Sequence, residues 1–236
     1  MTDEATAGGH ATWVLEPGRL AYDQAWDLML GLVDKKAGSR QPQVLILLEH
    51  PPVLTLGRRA QEQDILVPHQ ELERQGIEVR RVERGGLVTY HGPGQLVAYP
   101  VFDLRAMELG PRELVHGMEE AMLRTLAEFG VQAQRHQGHP GVWLGSQKLA
   151  SIGVAVRRGI SYHGLALNVD PNLEHFSLIN PCGLSGNPMT SLARLLERPV
   201  DLSEVQPRLL HHLCRVFGLE PRPWPLERAR AWLTEA

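Results

Sequence analysis

Cysteine is scarce in this chain of 236 residues. Only Cys182 and Cys214 are present, too few for a disulfide framework, and their contexts differ so much that we expect no bridge between them. Such a sequence suits a reducing compartment, so a cytoplasmic protein is predicted. The acidic start, residues 1–10, lacks the apolar stretch of a signal peptide and is predicted to be a loose tail.

A strong excess of one charge sign and a long apolar run are also missing. The formal net charge is -3 and the sequence pI is about 6.4, which argues against bulk binding of nucleic acid. No apolar run reaches the ~18 residues that a membrane-spanning helix needs. Hydrophobic residues make up 43% and charged residues 22% of the chain, as in globular proteins. We therefore predict one domain over residues 11–236, with neither nucleic acid nor membrane as a partner.

Familiar nucleotide and metal motifs are absent as well. The chain has no Walker P-loop, and its glycine-rich stretch is not followed by a predicted helix, as a dinucleotide fingerprint would require. His136 and His139 stand three residues apart, but in a predicted loop without a third ligand. Neither a metal site nor a cofactor is predicted.

The predicted helices and strands do not alternate. Apolar periodicity and turn residues predict helices over 21–36, 69–75, 111–129, 191–197, 203–217 and 225–234, and strands over 44–48, 53–57, 141–144, 149–156 and 162–169, with several more between 77 and 104. This order favours an α+β fold with one mixed or antiparallel sheet and helices on one side. A small C-terminal subdomain from about Ser191 is an alternative arrangement.

Cys182 falls in a predicted loop between Pro181 and Gly183. The glycine would leave the sulfur and the next amide open to a substrate, and loops on a rigid scaffold often carry reactive groups. A buried cysteine that acts as a small hydrophobe explains the same residues equally well. Cys214 lies at helical spacing among leucines, which predicts a thiol packed in the core.

A reactive thiol needs a nearby cation, because a free cysteine with a pKa of ~8.5 is mostly protonated at neutral pH. Of the lysines, Lys35 and Lys36 are predicted to form a solvated helix end. Lys148 stands alone among small and apolar residues at a strand start. That position favours desolvation, although an ordinary surface lysine also fits. His91 and His163, each at a strand end beside glycine, are further candidates.

Glycine and proline are concentrated in the segment Arg84–Gln95, where they make up five of twelve residues. Glycine allows a ligand to approach the backbone closely. The composition therefore predicts a binding surface, or alternatively a turn with a bulge.

Four segments taken in order closely resemble the lipoyl(octanoyl) transferases, the octanoyl-acyl carrier protein:protein N-octanoyltransferases. These are Arg84–Leu96, Lys148–Gly153, His163–Asn168 and Asn180–Gly183, and the likeness extends from about residue 15 to 220. Four motifs in register are far more specific than any one of them.

This resemblance implies the fold of the biotin and lipoate protein ligases, a mixed β-sheet with flanking helices and a smaller second sheet. It implies transfer of an octanoyl group from octanoyl-acyl carrier protein, through a thioester on Cys182, to a lysine of a lipoyl domain. The acceptors would be the lipoyl domains of dehydrogenase complexes and the glycine-cleavage H protein, in the first step of endogenous protein lipoylation. The family also suggests a monomer without cofactor or metal.

The resemblance also assigns roles to residues. Cys182 would carry the acyl group, and Lys148 would lower the pKa of its thiol. The implied substrate-binding positions are Arg84, Gly85, Gly86, Leu87, Val88, Thr89, Tyr90, His91, Ser151, Ile152, Gly153, Gly164, Leu165 and Ala166.

Acyl carrier proteins are acidic, so a basic patch near the site is expected. The available pairs are Arg58-Arg59, Arg80-Arg81 and Arg157-Arg158. Two alternatives remain at this stage. One is an ATP-dependent lipoate or biotin ligase of the same fold, and the other is a non-enzymatic module that binds acyl carrier protein with an inert Cys182.

Overall fold

The computed structural model describes residues 9–39, 41–180 and 189–235. Its strands are β1 (His10–Arg19), β2 (Gln43–Glu49), β3 (Val53–Leu56), β4 (Glu78–Arg81), β5 (Val88–His91), β6 (Gln95–Val101), β7 (Gln134–Arg135), β8 (Gly141–Leu144), β9 (Gln147–Arg157), β10 (Ile160–Asn168) and β11 (Leu219–Pro223). Its helices are α1 (Tyr22–Lys36), α2 (His69–Arg74), α3 (Pro111–Ala127), α4 (Leu192–Leu196), α5 (Leu202–Phe217) and α6 (Leu226–Thr234), with two 3-10 turns at Glu62–Asp64 and Leu173–Leu178.

These strands build two sheets in the described part of the chain. The larger has eight strands in the order β11-β1-β2-β6-β10-β9-β8-β7, and the smaller has three in the order β4-β3-β5. In the larger sheet β1 pairs in parallel with β2 and β11, and the remaining neighbours are antiparallel. A mixed main sheet and a smaller second sheet were both expected.

Helices cover both faces of the larger sheet, so the expectation of helices on one side is wrong. Leu45 and Leu47 of β2 pack in a core with α3 and α5, whereas Val44 and Ile46 pack in a second core with α1 and α6. The physical reason is the apolar run itself. Successive side chains of a strand point to opposite faces, so a strand that is apolar at every position needs cover on both.

The first and last described strands meet at one edge of the larger sheet. β1 and β11 were not predicted, and they pair in parallel from His10 with Leu219 onwards. Gly9 and His10, which were predicted to belong to the tail, are part of this edge, because Gly9 N–H donates to the Glu220 carboxylate and His10 N–H to Gly218 O, 2.7 Å away. The C-terminal helices belong to the main body, since α5 packs against α3 in the first core.

Lys36 is buried rather than solvated. It is 1% exposed, and its Nζ donates to Pro42 O at 2.6 Å. Burial lowers the pKa of its ammonium to about 8. The C-terminal end of α1 thus holds the next loop through a buried lysine, which helical spacing alone does not reveal.

The β9–β10 hairpin carries two of the segments singled out in the sequence. Its turn is two residues long, whereas the predicted strands 149–156 and 162–169 leave five residues between them. Arg158 and Gly159 both adopt positive φ, at 54° and 84°, as a two-residue hairpin turn requires. The register then sets Gly153 opposite Gly164, Ile152 opposite Leu165, and Ser151 opposite Ala166. Two implied substrate-binding segments are therefore direct cross-strand neighbours. Among the described helices, none is long and apolar enough to cross a membrane.

Candidate active site

A cavity opens where the smaller sheet meets the β9–β10 hairpin. Its walls combine the three implied substrate-binding segments with Lys148; the residues from those segments are Arg84, Gly85, Gly86, Leu87, Val88, Thr89, His91, Ser151, Ile152, Gly153, Gly164, Leu165 and Ala166. The three segments thus bring together positions up to 82 residues apart in the chain, since residues 84 and 166 both line the cavity. Their assembly explains why the separate motifs occur in one sequence.

Close backbone contact joins the glycine segment to the hairpin. Gly85 N–H donates to Val154 O at 2.9 Å. A side chain at Gly153 would place its Cβ 2.9 Å from Gly85 O and 3.0 Å from Arg84 Cδ, which is too near for real carbon atoms. Glycine at this position lets the two walls of the cavity meet.

Arg84 holds the glycine segment against β3. Its side chain is 7% exposed. The guanidinium donates to the hydroxyl and carbonyl oxygens of Thr55, at 2.8 and 2.5 Å from one nitrogen, and to Gly85 O at 3.1 Å. A buried guanidinium needs such partners, and here they orient the chain at the mouth of the cavity.

Lys148 is a buried residue of the cavity wall. It is 5% exposed, and its Nζ lies 5.1 Å from the centre of the Trp143 ring, within range of a cation–π contact. It lies opposite Trp143 in the pairing of β8 with β9, one residue after β9 begins at Gln147. The sequence left open whether Lys148 is desolvated or an ordinary surface lysine. Its burial shows that the prediction of a surface lysine is wrong.

Cys182 lies outside the described residues, as do Pro181 and Gly183. The described residues on either side are held near Lys148 and the smaller sheet. Asn180 N–H donates to Asp64 O at 2.8 Å, and Thr190 N–H donates to Lys148 O at 3.0 Å. Met189, which lines the cavity, forms a parallel bridge with Lys148.

Histidine and tyrosine rings cluster behind the cavity wall. Tyr22 stacks on His91 with ring centres 6.2 Å apart, and His50 meets His91 edge-on at 5.8 Å. His50 Nε2 lies 2.8 Å from the Tyr99 hydroxyl, and the Tyr22 hydroxyl lies 3.4 Å from His163 Nδ1. The cluster is a preformed polar wall made of neutral rings.

Burial keeps these rings uncharged at neutral pH. It lowers the pKa of His50 to about 4 and of His163 to about 3, and it holds the pKa of His91 well below its ordinary range. It also raises the pKa of Tyr22 and Tyr99 above their ordinary range. Desolvation is the first cause in each case, because the charged form loses its hydration.

Tyr90 points away from the cavity, unlike its neighbours Thr89 and His91. Its ring packs in the core of the smaller sheet and meets Phe176 edge-on at 5.4 Å. Alternating side chains on β5 make this outcome unavoidable once His91 faces the cavity.

Sequence reasoning missed three residues of the lining. Tyr22, Tyr99 and Met189 contribute to the wall but lie outside the four motifs. Tyr22 and Tyr99 look like ordinary apolar members of a helix and a strand, so their pattern carries no signal of a site. Met189 could have been suspected only from its nearness in sequence to Cys182.

Cys214 packs at the edge of the core formed by α3 and α5, as predicted. Burial raises the pKa of its thiol to about 11, which makes the thiolate unfavourable. In the described ranges, no group of three or more histidine, cysteine, aspartate or glutamate side chains could hold a metal ion.

Known proteins resemble this chain along most of its length. The lipoyl protein ligase A/B catalytic domain model matches residues 21–214. The octanoyltransferase of Desulforamulus reducens is 41% identical over 210 residues, covering 89% of this chain and 92% of the relative. That of Syntrophobacter fumaroxidans is 44% identical over 223 residues, covering 94% and 98%. A crystal structure of lipoate-protein ligase A bound with ATP superposes with a TM-score of 0.74 at 17% identity, covering 96% of this chain and 95% of that one.

The fold and the matched domain define a protein of the lipoate ligase type, and the expected fold is confirmed. The chain belongs to the octanoyltransferases within the lipoyl protein ligase A/B catalytic-domain family. Its enzymatic class is acyltransferase, as the resemblance of the four motifs predicted.

Proposed function

We propose that this enzyme takes an octanoyl group from octanoyl-acyl carrier protein as a thioester on Cys182 and passes it to a lysine of a lipoyl domain. The acceptors are the lipoyl domains of dehydrogenase complexes and the glycine-cleavage H protein, and the reaction takes place in the cytoplasm. One observation carries the proposal: a buried lysine, Lys148, lines a cavity with all three implied binding segments and bridges to Met189, seven residues after Cys182.

The first half-reaction exchanges one thioester for another. The Cys182 thiolate attacks the octanoyl carbonyl, a C–S bond forms, and the phosphopantetheine thiolate leaves. Protonated Lys148 favours the thiolate of Cys182 by its charge and then passes its proton to the leaving sulfur. The exchange is nearly balanced in energy, so the enzyme contributes positioning and charge stabilisation.

The second half-reaction moves the acyl group to nitrogen. The acceptor lysine must attack as a neutral amine, and neutral Lys148 accepts the proton that it loses. The C–S bond to Cys182 breaks as the amide forms, and the sulfur departs as thiolate.

Apolar side chains in the lining suit a medium acyl chain. Leu87, Val88, Ile152, Leu165 and Met189 all contribute to the lining. Each buried methylene contributes about 0.8 kcal/mol, so the length of this slot sets the preferred chain.

The central test is intact-mass spectrometry after mixing the enzyme with octanoyl-acyl carrier protein, without ATP. The wild type should gain the mass of one octanoyl group and lose it when a lipoyl domain is added. Cys182→Ala should gain nothing. Lys148→Met should form the adduct roughly 100-fold more slowly, the usual size of a lost proton-transfer group.

Cys214→Ala is the matched control, because it removes the other thiol of the chain. This variant should form the adduct at the wild-type rate. Lipoyl-domain modification by Cys182→Ala would contradict the thioester route, and a requirement for ATP would favour a ligase.

The arginine pairs differ in what they offer to an acidic carrier. Arg80 donates to Asp23 at 2.7 and 2.8 Å, and both Arg157 and Arg158 contact Asp34. In the described ranges no ion pair involves Arg58 or Arg59, although both are exposed. Their backbone N–H groups donate to Arg84 O and Gly86 O, at 3.0 and 3.2 Å. The pair Arg58-Arg59 thus adjoins the cavity wall without an ion pair to any described residue.

We therefore place the docking of the acidic donor at Arg58 and Arg59. Reversing both charges (Arg58→Glu with Arg59→Glu) should raise KM for octanoyl-acyl carrier protein by roughly tenfold, more at low salt, with little change in kcat. Arg228→Glu with Arg230→Glu, on exposed positions of α6, is the matched control and should leave KM unchanged. Equal effects of the two double variants would point to general charge rather than docking.

A further inference from the structure

A series of hydrogen bonds runs from His91 through the side-chain amides of Gln95 and Asn168 towards Lys148. His91 Nδ1 lies 2.7 Å from Gln95 Oε1, and Gln95 Nε2 donates to Asn168 Oδ1 at 2.9 Å. Asn168 Nδ2 donates in turn to Thr190 O at 3.0 Å. Thr190 N–H completes the path by donating to Lys148 O at 3.0 Å. His91, Gln95 and Asn168 are all buried, at 6%, 2% and 1% exposed.

Two backbone carbonyls determine how the amide groups of Asn168 and Gln95 are oriented. A carbonyl oxygen only accepts, so Thr190 O requires the NH₂ end of the Asn168 amide to face it, which leaves Asn168 Oδ1 to accept. Gln95 must therefore present its own NH₂ to Asn168. The same NH₂ also donates to Tyr90 O at 3.3 Å, which independently sets the Gln95 amide the same way.

The amide chain determines the tautomer of His91. Gln95 Oε1 is an acceptor, so His91 Nδ1 must carry a proton. In a neutral imidazole only one nitrogen is protonated, and Nε2 is then a lone-pair acceptor. Because Nδ1 is engaged and the ring lines the cavity, Nε2 is the atom left for a ligand.

The groups around His91 favour the neutral ring. Desolvation by burial is the first cause, and the charge of the Arg84 guanidinium, together with any charge on the His50 and His163 imidazoles, also disfavours a positive charge there. The Tyr22 ring stacks on it from α1. Burial also holds the pKa of His91 well below its ordinary range, so the ring remains an acceptor across the neutral range.

An acceptor nitrogen selects for a substrate group with N–H bonds. The acyl thioester offers a carbonyl oxygen, which needs donors and gains nothing from a lone pair. The attacking amine is the reactant whose N–H bonds lie at the reacting carbon. As it attacks, positive charge develops on its nitrogen and its hydrogen bonds strengthen.

We propose that His91 is a fixed hydrogen-bond acceptor that orients the attacking amine of the lipoyl-domain lysine through Nε2, and that Gln95 and Asn168 are positioning residues that set this tautomer. The inference rests on the proposed function for the identity of the amine. No proton passes to His91; the proton acceptor remains Lys148.

The tautomer is tested without any substrate. In enzyme carrying ¹⁵N-labelled histidine, the His91 ring at neutral pH should show a protonated Nδ1 and an unprotonated Nε2. Gln95→Met removes the acceptor and should convert this single form to a mixture of tautomers. Gln70→Met, at an exposed position of α2, is the matched control and should leave the His91 spectrum unchanged. A wild-type ring protonated on Nε2, or on both nitrogens, would overturn the inference.

The role towards the amine is tested by separating the two half-reactions. His91→Leu should slow transfer of the octanoyl group to a lipoyl domain roughly tenfold more than it slows formation of the adduct. His91→Gln, which restores an acceptor near the position of Nε2, should recover part of that rate. Equal losses in both half-reactions would overturn the inference. Failure of the wild type to form an adduct would instead overturn the proposed function, while the tautomer is still read directly.

Discussion

At the scale of single residues, the strand packing beside the cavity depends on a glycine. Gly164 lies in β10 beside β6, and a Cβ built there would come within 2.1 Å of Ala98 O and 2.7 Å of Pro100 Cδ. Neither neighbour is the end of a flexible side chain, so neither can move away at low cost. Glycine at position 164 therefore allows β10, which also carries His163 and Leu165, to pack closely against β6.

Gly164→Ala should lower the free energy of unfolding by about 3 kcal/mol, because overpacking at a backbone contact forces the strands apart. Urea denaturation measures this directly. Gly85→Ala is the control, since the nearest atom to its Cβ is Val154 O at 3.5 Å, and its stability should match the wild type within about 0.5 kcal/mol. Similar losses in both variants would contradict the assignment of strain to Gly164.

At the scale of elements, one junction ties the end of the chain to its beginning. Helix α5 ends at Gly218, which has φ of 61° and whose N–H donates to Cys214 O. Its carbonyl accepts the N–H of His10, the first residue of β1. The chain then continues at once as β11, which pairs with β1. The turn at Gly218 therefore sets both the helix end and the strand that follows.

Gly218→Ala should cost about 1 kcal/mol in unfolding free energy, because a left-handed backbone is unfavourable for a residue with a Cβ. No atom lies within 4 Å of the position where that Cβ would be, so the cost is conformational rather than steric. Gly218→Asn should lose less, since asparagine tolerates this conformation better. Urea midpoints of the two variants decide the point, and a larger loss in the asparagine variant would contradict it.

At the scale of the whole molecule, a cluster of buried, neutral histidine rings joins the smaller sheet to the larger one. His50, His91 and His163 come from separate elements, and all three are nearly inaccessible, at 0%, 6% and 1% exposed. Each has its pKa lowered by burial. Folding therefore requires three neutral imidazoles, which makes stability depend on pH.

Stability should fall as the pH drops below about 6.5, the ordinary pKa of histidine. In that range the unfolded chain binds protons at these three positions and the folded chain does not, so acid favours unfolding. Each histidine contributes about 1.4 kcal/mol per pH unit until its folded pKa is reached. That value is about 4 for His50 and about 3 for His163.

Urea denaturation between pH 7 and 4.5 should therefore show a slope approaching roughly 4 kcal/mol per pH unit at its acidic end. Carboxylates with lowered pKa values, such as Glu71 and Glu120, add to this loss only nearer pH 4. His136→Gln, at an exposed histidine, should leave the slope unchanged. A flat profile down to pH 5 would show that the buried rings take up protons while folded.

The sequence by itself determined the family, the enzyme class, and most of the elements. The family and the enzyme class followed from the resemblance of the four motifs to known proteins. The elements followed from apolar periodicity and glycine positions, which are local properties of the sequence. It also separated Cys214, at helical spacing in a core, from Cys182 in a glycine-bounded loop. The roles of Cys182 and Lys148 remain proposals.

Tertiary structure decided the features that depend on contacts between residues far apart in the sequence. The second helical layer, the pairing of β1 with β11, the burial of Lys148 and Lys36, and the turning of Tyr90 away from the cavity all belong to this group. So does the tautomer of His91, which follows from amides 73 positions apart, at Gln95 and Asn168. Burial and hydrogen-bond direction are properties of a packed interior. A local sequence pattern does not show which distant residue will pack against a side chain or bond to it.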